Sequence, residues 1–149
     1  MIGVFWSLLG MLAGALLAAQ APINAQLARG LGLPVAAAAF SFLSGAVVLG
    51  IVTLFVMRSQ GISIDLKAPS PWLFVAGGIL GGSYVTITTI LIPRLGAGVV
   101  MAFLVAGQLL AALLLDRIGF LGMAVREISI GRLSGALLVL AGAILMRLS

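Results

Sequence analysis

The sequence contains neither cysteine nor histidine among its 149 residues, and only 7% of its residues are charged. Without these side chains the protein can form no Cys/His metal site, no thiol nucleophile and no Ser-His-Asp triad. The sparse charge also excludes an ordinary soluble domain, in which roughly a quarter of the residues are charged. We therefore expect that the protein is not an enzyme and that it binds neither a metal nor a cofactor.

Hydrophobic residues make up 63% of the chain, which excludes disorder and leaves the class of integral membrane proteins. A net charge of +5 could favour nucleic-acid binding in a soluble protein. Here the basic residues are scattered at the ends of apolar runs, a pattern that orients helices in a membrane. We therefore expect the partner of this surface to be the lipid bilayer, and we expect no nucleic acid.

A helix needs about 20 consecutive apolar residues to cross a bilayer. No Lys or Arg precedes the first apolar run, so we interpret this run as a transmembrane helix rather than a cleaved signal peptide. The turn and loop residues divide the rest of the chain into four more spans. We predict an all-α transmembrane domain over residues 1–149, with helices at about 2–27, 35–57, 72–92, 97–115 and 130–146.

The first predicted helix carries a proline between two amide side chains. Pro22 lacks a backbone N–H, so the carbonyl of Ala18 loses its helical partner and should face protein or a watery cavity. Gln20 and Asn24 are four residues apart and share one face of the helix. They either line a path for a substrate or lie in the interface at the end of the span.

Two further polar side chains fall near the midpoints of apolar helices. Tyr84 lies about 12 residues into helix three, and Gln108 lies at a similar depth in helix four. A hydroxyl or an amide at that depth needs a hydrogen-bond partner. For both residues this partner is either a neighbouring helix or a bound substrate. On helix two, Ser41 and Gly45 are spaced as in a packing face, which this pattern favours over a binding site.

Small residues spaced by four allow two helix backbones to approach closely in a membrane. The chain has 20 glycines, several of them in such pairs within the predicted spans. We predict that the glycines at packing faces are Gly10, Gly14, Gly77, Gly78, Gly81, Gly82, Gly131 and Gly135.

One acidic residue lies close to the predicted membrane core. Asp116 ends helix four and is followed directly by Arg117. The two side chains either form a solvated pair that anchors the helix end, or Asp116 is the carboxylate available for proton coupling.

An odd number of helices places the two ends of the chain on opposite sides of the membrane. Of the eight basic residues, five fall on the N-terminal side and three on the other. The positive-inside rule therefore favours a cytoplasmic N-terminus only weakly, and a chain inserted in both orientations would show the same weak bias. Many transporters consist of two inverted repeats with the substrate site between them. An antiparallel dimer of this chain would supply both repeats.

Several short motifs, taken in order, resemble a known family. Gly96-Ala97-Gly98 through Gln108 to Asp116-Arg117, followed by residues 132–142, resembles the last two helices of a repeat in the drug/metabolite transporter (DMT) superfamily. The whole chain is similar to the small, five-helix YdcZ-like branch of that superfamily. The segments that carry this second resemblance are 20–24, 41–45, 71–73, 93–97 and 106–108.

The resemblance implies a bacterial inner-membrane protein that forms one DMT-type repeat and pairs with an antiparallel copy of itself or with an oppositely oriented paralogue. Our leading hypothesis is secondary transport of a small organic solute by alternating access, with Gln20, Asn24, Tyr84 and Gln108 as candidate substrate contacts. The alternatives are a channel or passive facilitator, and a membrane subunit that does not transport. The small multidrug exporters of the superfamily have a glutamate in their first helix, whereas helix one here has no acidic residue.

Overall fold

The computed structural model describes residues 2–149 and the side chains from residue 3 onward, and the regular structure in this part of the chain is entirely helical. Five of the helices are long and apolar enough to cross a membrane, as the sequence predicts. They are α1 (Ile2–Leu31), α2 (Pro34–Gln60), α3 (Leu73–Leu95), α4 (Ala97–Ile118) and α5 (Ile130–Leu148).

The first turn is shorter than predicted. We expected the chain to reverse over residues 29–34, but α1 continues through Arg29 and Gly30 to Leu31. No residue between positions 27 and 31 lacks a backbone donor, so nothing interrupts the helix there. The reversal is made by Gly32, whose φ of +72° lies in the left-handed region, and by Leu33, which is extended. Pro34 then begins α2, a position that proline favours.

The connection between α3 and α4 differs from the prediction in the same way. We expected a turn from Pro93 to Gly96, but α3 includes Pro93 and ends at Leu95. A proline in the last turn removes only the donor for the carbonyl of Thr89, so the helix can pass through it. The reversal is confined to Gly96, whose φ of +80° is costly for any residue with a Cβ atom.

The segment between α4 and α5 contains a short 3-10 helix, Phe120–Gly122. Gly119 ends α4 with a φ of +61°, and an added Cβ there would lie 2.8 Å from Cγ2 of Val125. The side chain of Ser129 accepts a hydrogen bond from the backbone N–H of Arg132 at 3.3 Å and so caps the start of α5.

The chain forms two compact units that meet in sequence between Ile92 and Pro93. In the first unit α1 packs against α2. The buried side chains on these two helices are almost all alanines, namely Ala21, Ala25, Ala28, Ala37 and Ala38. Small side chains of this kind let two helices approach closely in a membrane.

In the second unit α4 packs against α5. Its buried side chains are Val100, Ala106, Leu113, Ala136 and Ala143. Cε of Met146 lies 3.5 Å from the position of a Cβ added to Gly98, an ordinary contact distance. The contact in the second unit thus combines alanines with branched apolar residues, whereas alanines dominate the α1–α2 contact. A single domain over the whole chain stays a prediction.

We expect Ala37→Leu to destabilise the first unit, because Ala37 has no exposed surface and a larger side chain would push α1 and α2 apart. Overpacking of this kind costs about 1–3 kcal/mol. The measurement is loss of helical circular dichroism during titration with sodium dodecyl sulfate. Ala46→Leu on the exposed side of α2 is the matched control and should leave the midpoint of the detergent titration unchanged. Equal midpoints for the two variants would contradict the packing described here.

Candidate functional site

The polar side chains of α1 and α2 converge on one cleft. This cleft, which we call the α1–α2 cleft, has a volume of about 470 Å³. It is lined by Gln20, Ile23, Asn24, Leu27, Leu31, Phe40, Ser41 and Ser44. Its volume is within the usual range for sites that bind small molecules.

A hydrogen bond joins the two helices at this cleft. Nε2 of Gln20 donates to Oγ of Ser41 over 3.1 Å, and the bond is partly buried. Oγ of Ser44 donates to the carbonyl oxygen of Ser41 over 2.9 Å. These two bonds hold the polar side chains of the cleft in place. The sequence pattern favoured a packing role for Ser41, and in the structure Ser41 both contacts α1 and lines the cleft. The serines could have been found from their spacing, because residues 41 and 44 lie on one face of a helix.

Asn24 is the most deeply buried polar residue of the cleft. It is only 4% exposed, yet no side chain or backbone group of residues 3–149 forms a hydrogen bond with its carboxamide. Its amide nitrogen and oxygen are not among the fully buried side-chain atoms without a partner, so both keep a small accessible area at the cleft. The structure thus brings Gln20 and Asn24 to the same cleft, and their role in substrate binding stays a prediction.

Tyr84 lies on α3, and its hydroxyl is buried without a hydrogen-bond partner among the residues that the structure describes. The hydroxyl of Thr89 on the same helix is in the same situation, and Thr89 is only 2% exposed. In contrast, the hydroxyl of Thr88 donates to the carbonyl oxygen of Val85 over 3.0 Å. The sequence left either a neighbouring helix or a bound substrate as the hydrogen-bond partner of Tyr84. No helix of its own unit supplies this partner.

A second, apolar groove of about 650 Å³ lies between α2 and α3. Gly78 and Gly82 line it, and an added Cβ at either position would meet nothing within 4 Å. At Gly81 the ring of Phe42 occupies this space, with Cζ only 2.7 Å from the position of an added Cβ. One of the four predicted packing glycines of α3 therefore contacts α2, whereas an added Cβ at Gly77 would meet nothing within 4 Å.

The other predicted packing glycines lie on open faces. An added Cβ at Gly10 or Gly14 on α1 would meet nothing within 4 Å, and the same is true of Gly131 and Gly135 on α5. Gly131 and Gly135 line a cleft of about 370 Å³ between α4 and α5. That these four glycines pack against another helix stays a prediction, and such a helix would have to come from another molecule.

Asp116 is paired, but not with the residue that the sequence favoured. We expected a pair with its neighbour Arg117, whereas the structure shows that Nη2 of Arg132 donates to Oδ2 of Asp116. Adjacent residues on a helix point about 100° apart, whereas the start of α5 lies directly beside the end of α4. The backbone N–H of Arg126 also donates to the carbonyl oxygen of Asp116 over 3.0 Å. This carboxylate thus joins α4 to α5, and its role in proton coupling stays a prediction.

Gln108 lies on an exposed face of α4, and no hydrogen bond joins its side chain to the described part of the chain. An amide near the middle of a transmembrane helix needs a partner that lipid cannot supply. Among the described residues, no group supplies such a partner for Gln108.

The chain matches the model of one protein family over residues 5–145, and this family is described as "Putative inner membrane exporter, YdcZ". No curated protein and no solved structure is significantly similar to the chain. The family match covers all five helices, including the α1–α2 cleft and the Asp116–Arg132 pair.

A double-mutant cycle would test the pairing of Asp116. We expect Asp116→Asn and Arg132→Gln to show a coupling energy of about 0.5–1 kcal/mol, because both side chains are partly exposed to solvent. The measurement is the free energy of unfolding in detergent for the two single variants and the double variant.

The matched control for this cycle combines Asp116→Asn with Arg117→Gln, and its coupling energy should be close to zero. A larger coupling with Arg117 than with Arg132 would contradict the geometry of the pair.

Proposed function

Because the chain belongs to the YdcZ family of the DMT superfamily and is a multi-pass inner-membrane protein, we propose that it exports a small, uncharged organic solute. One observation carries this proposal beyond the family: the α1–α2 cleft combines an apolar wall with a buried carboxamide that has no partner in its own unit. A cleft of this kind is suited to a ligand that brings its own hydrogen-bonding group.

The lack of charge in the cleft limits the solute. All of the residues that line the cleft are uncharged, so a charged solute would give up its hydration without meeting a counter-charge. Recognition then depends on hydrogen bonds and on shape. We accordingly propose a transporter rather than an enzyme, with the solute as the species that moves.

We further propose that two oppositely inserted copies form the working transporter, so that the two copies are the inverted repeats of an alternating-access cycle. Two observations support this. Gln108 lacks a partner in its own unit, and the glycines Gly10, Gly14, Gly131 and Gly135 leave open faces on which another helix could pack. The second copy is either this chain or a paralogue of opposite orientation.

A passive channel is the second candidate function. A channel needs a polar lining but no group that changes its protonation, and the α1–α2 cleft contains no acidic residue. Flux into liposomes separates the two: a carrier saturates and exchanges solute across the membrane, whereas a channel does neither.

We expect Asn24→Leu to reduce export by about tenfold or more, because the solute loses hydrogen bonds to a buried partner. The measurement is mass-spectrometric profiling of the growth medium of cells that express either the wild-type protein or the variant. At least one small organic solute should accumulate outside the wild-type cells only.

Gln26→Leu is the matched control, because Gln26 is an exposed amide on the same helix and does not line the α1–α2 cleft. This variant should export as the wild type does. If no solute differs between wild-type cells and cells without the protein, the exporter proposal is wrong.

Labelling of the C-terminus tests the arrangement of the two copies. The protein has no cysteine, so Ser149→Cys gives a single thiol that a membrane-impermeant reagent can label in intact cells. Protection of about half of the molecules, as expected for insertion in both orientations, would support an antiparallel homodimer. Complete labelling or complete protection would overturn it and would require a different, oppositely inserted partner.

A further inference from the structure

The carboxamide of Asn24 lines the α1–α2 cleft and offers both kinds of hydrogen bond. A carboxamide has two N–H donors and a carbonyl acceptor in one plane. None of these atoms is engaged by the described residues, although Asn24 is 96% buried, and the residue lines the cleft. On the lipid side no water is available to such a group. A ligand that enters the cleft could supply its partner.

The other polar groups of the cleft are already engaged. Gln20 uses a donor on Oγ of Ser41, and Ser44 uses its hydroxyl hydrogen on the carbonyl oxygen of Ser41. Ser44 therefore presents only acceptor lone pairs to a ligand, and Ser41 retains one hydroxyl hydrogen. Gln20 keeps its carbonyl oxygen and its second N–H, so it can supplement recognition at the edge of a ligand. Asn24 is the carboxamide of the cleft whose donors and acceptor are all unengaged by the described residues.

The remaining surface of the cleft is apolar. Ile23 and Leu27 come from α1, and Phe40 comes from α2. A ligand with a single small polar group and an apolar body would satisfy Asn24 and cover these side chains. A carboxylate would place its acceptors against the carbonyl oxygen of Asn24, and an ammonium group would place its donors against the amide N–H groups.

From these contacts we infer that the α1–α2 cleft binds neutral solutes that carry a primary amide or a lactam on an apolar body. The amide of the solute pairs with Asn24 through two N–H···O hydrogen bonds, one in each direction. Asn24 thus determines specificity, and Ile23, Leu27 and Phe40 cover the apolar part. This substrate class rests on the proposed export function.

Equilibrium dialysis with four ring-matched probes tests the inference. The full-length protein in lipid nanodiscs is compared with empty nanodiscs for benzamide, N,N-dimethylbenzamide, benzoate and benzylammonium. We expect saturable binding of benzamide that is at least about tenfold tighter than that of the other three. N,N-dimethylbenzamide keeps the carbonyl and lacks the N–H, so its weak binding reports on the second hydrogen bond.

Two variants assign the binding to Asn24. Asn24→Leu should weaken benzamide binding by about tenfold or more, and Gln26→Leu should leave it unchanged. Equal affinity for benzoate or benzylammonium, or an unchanged affinity in Asn24→Leu, would overturn the inference. The wild-type probe series decides the question even when the Asn24→Leu protein does not fold.

The binding and export measurements fail in different ways. Export that depends on Asn24, together with no preference for benzamide, would overturn the substrate class and leave the exporter proposal standing. A preference for benzamide that depends on Asn24, without any exported solute, would support the amide site and overturn the exporter proposal.

Discussion

Every hydrogen-bonding group inside the hydrocarbon core of a bilayer must find its partner in protein or in enclosed water, because lipid chains offer none. The five helices meet most of this demand for the backbone within themselves, although Pro22 and Pro93 each leave one carbonyl without a helical donor. Few polar side chains in these helices need a hydrogen-bond partner from elsewhere. Their positions show which helix surfaces do more than pack against apolar neighbours. Gln20 meets this demand by donating to Ser41 across two helices, whereas Asn24 does not meet it within its unit. The same constraint that fixes the fold therefore also marks the candidate site.

The helices themselves could be predicted from the sequence, because apolar runs long enough to span a bilayer are typical of transmembrane helices. Their ends could not be placed as well. Arg29 and Gly30 are polar and flexible, which favours a turn, but α1 has 30 residues and, at 1.5 Å each, its roughly 45 Å extend beyond the apolar core. Pro93 also favours a turn because proline ends many helices, although in a last turn it removes a single backbone bond.

Hydrogen-bond and ion-pair partners that lie on different helices were harder to predict from the sequence. The spacing of Gln20 and Asn24 predicts that they share one face, but the position of Ser41 opposite Gln20 depends on how α1 and α2 pack. Packing in turn rests on alanines such as Ala25 and Ala37, whereas the spacing of the glycine pairs predicted contacts at glycine. Asp116 shows the same limit: its chain neighbour Arg117 is visible in the sequence, and its actual partner Arg132 lies on the next helix.

Export through the α1–α2 cleft requires this cleft to be open to water and to a polar solute, although it lies within a membrane protein. The most direct test compares the reactivity of a single cysteine placed at Ser44, which lines the cleft, with that of one at Leu43, its neighbour on an exposed apolar face. A thiol reacts with a water-soluble reagent only as the thiolate, which forms only in contact with water. We predict that the Ser44→Cys protein is modified readily and that the Leu43→Cys protein is not. Equally slow modification of both would contradict this claim, because the cleft would then be closed to water.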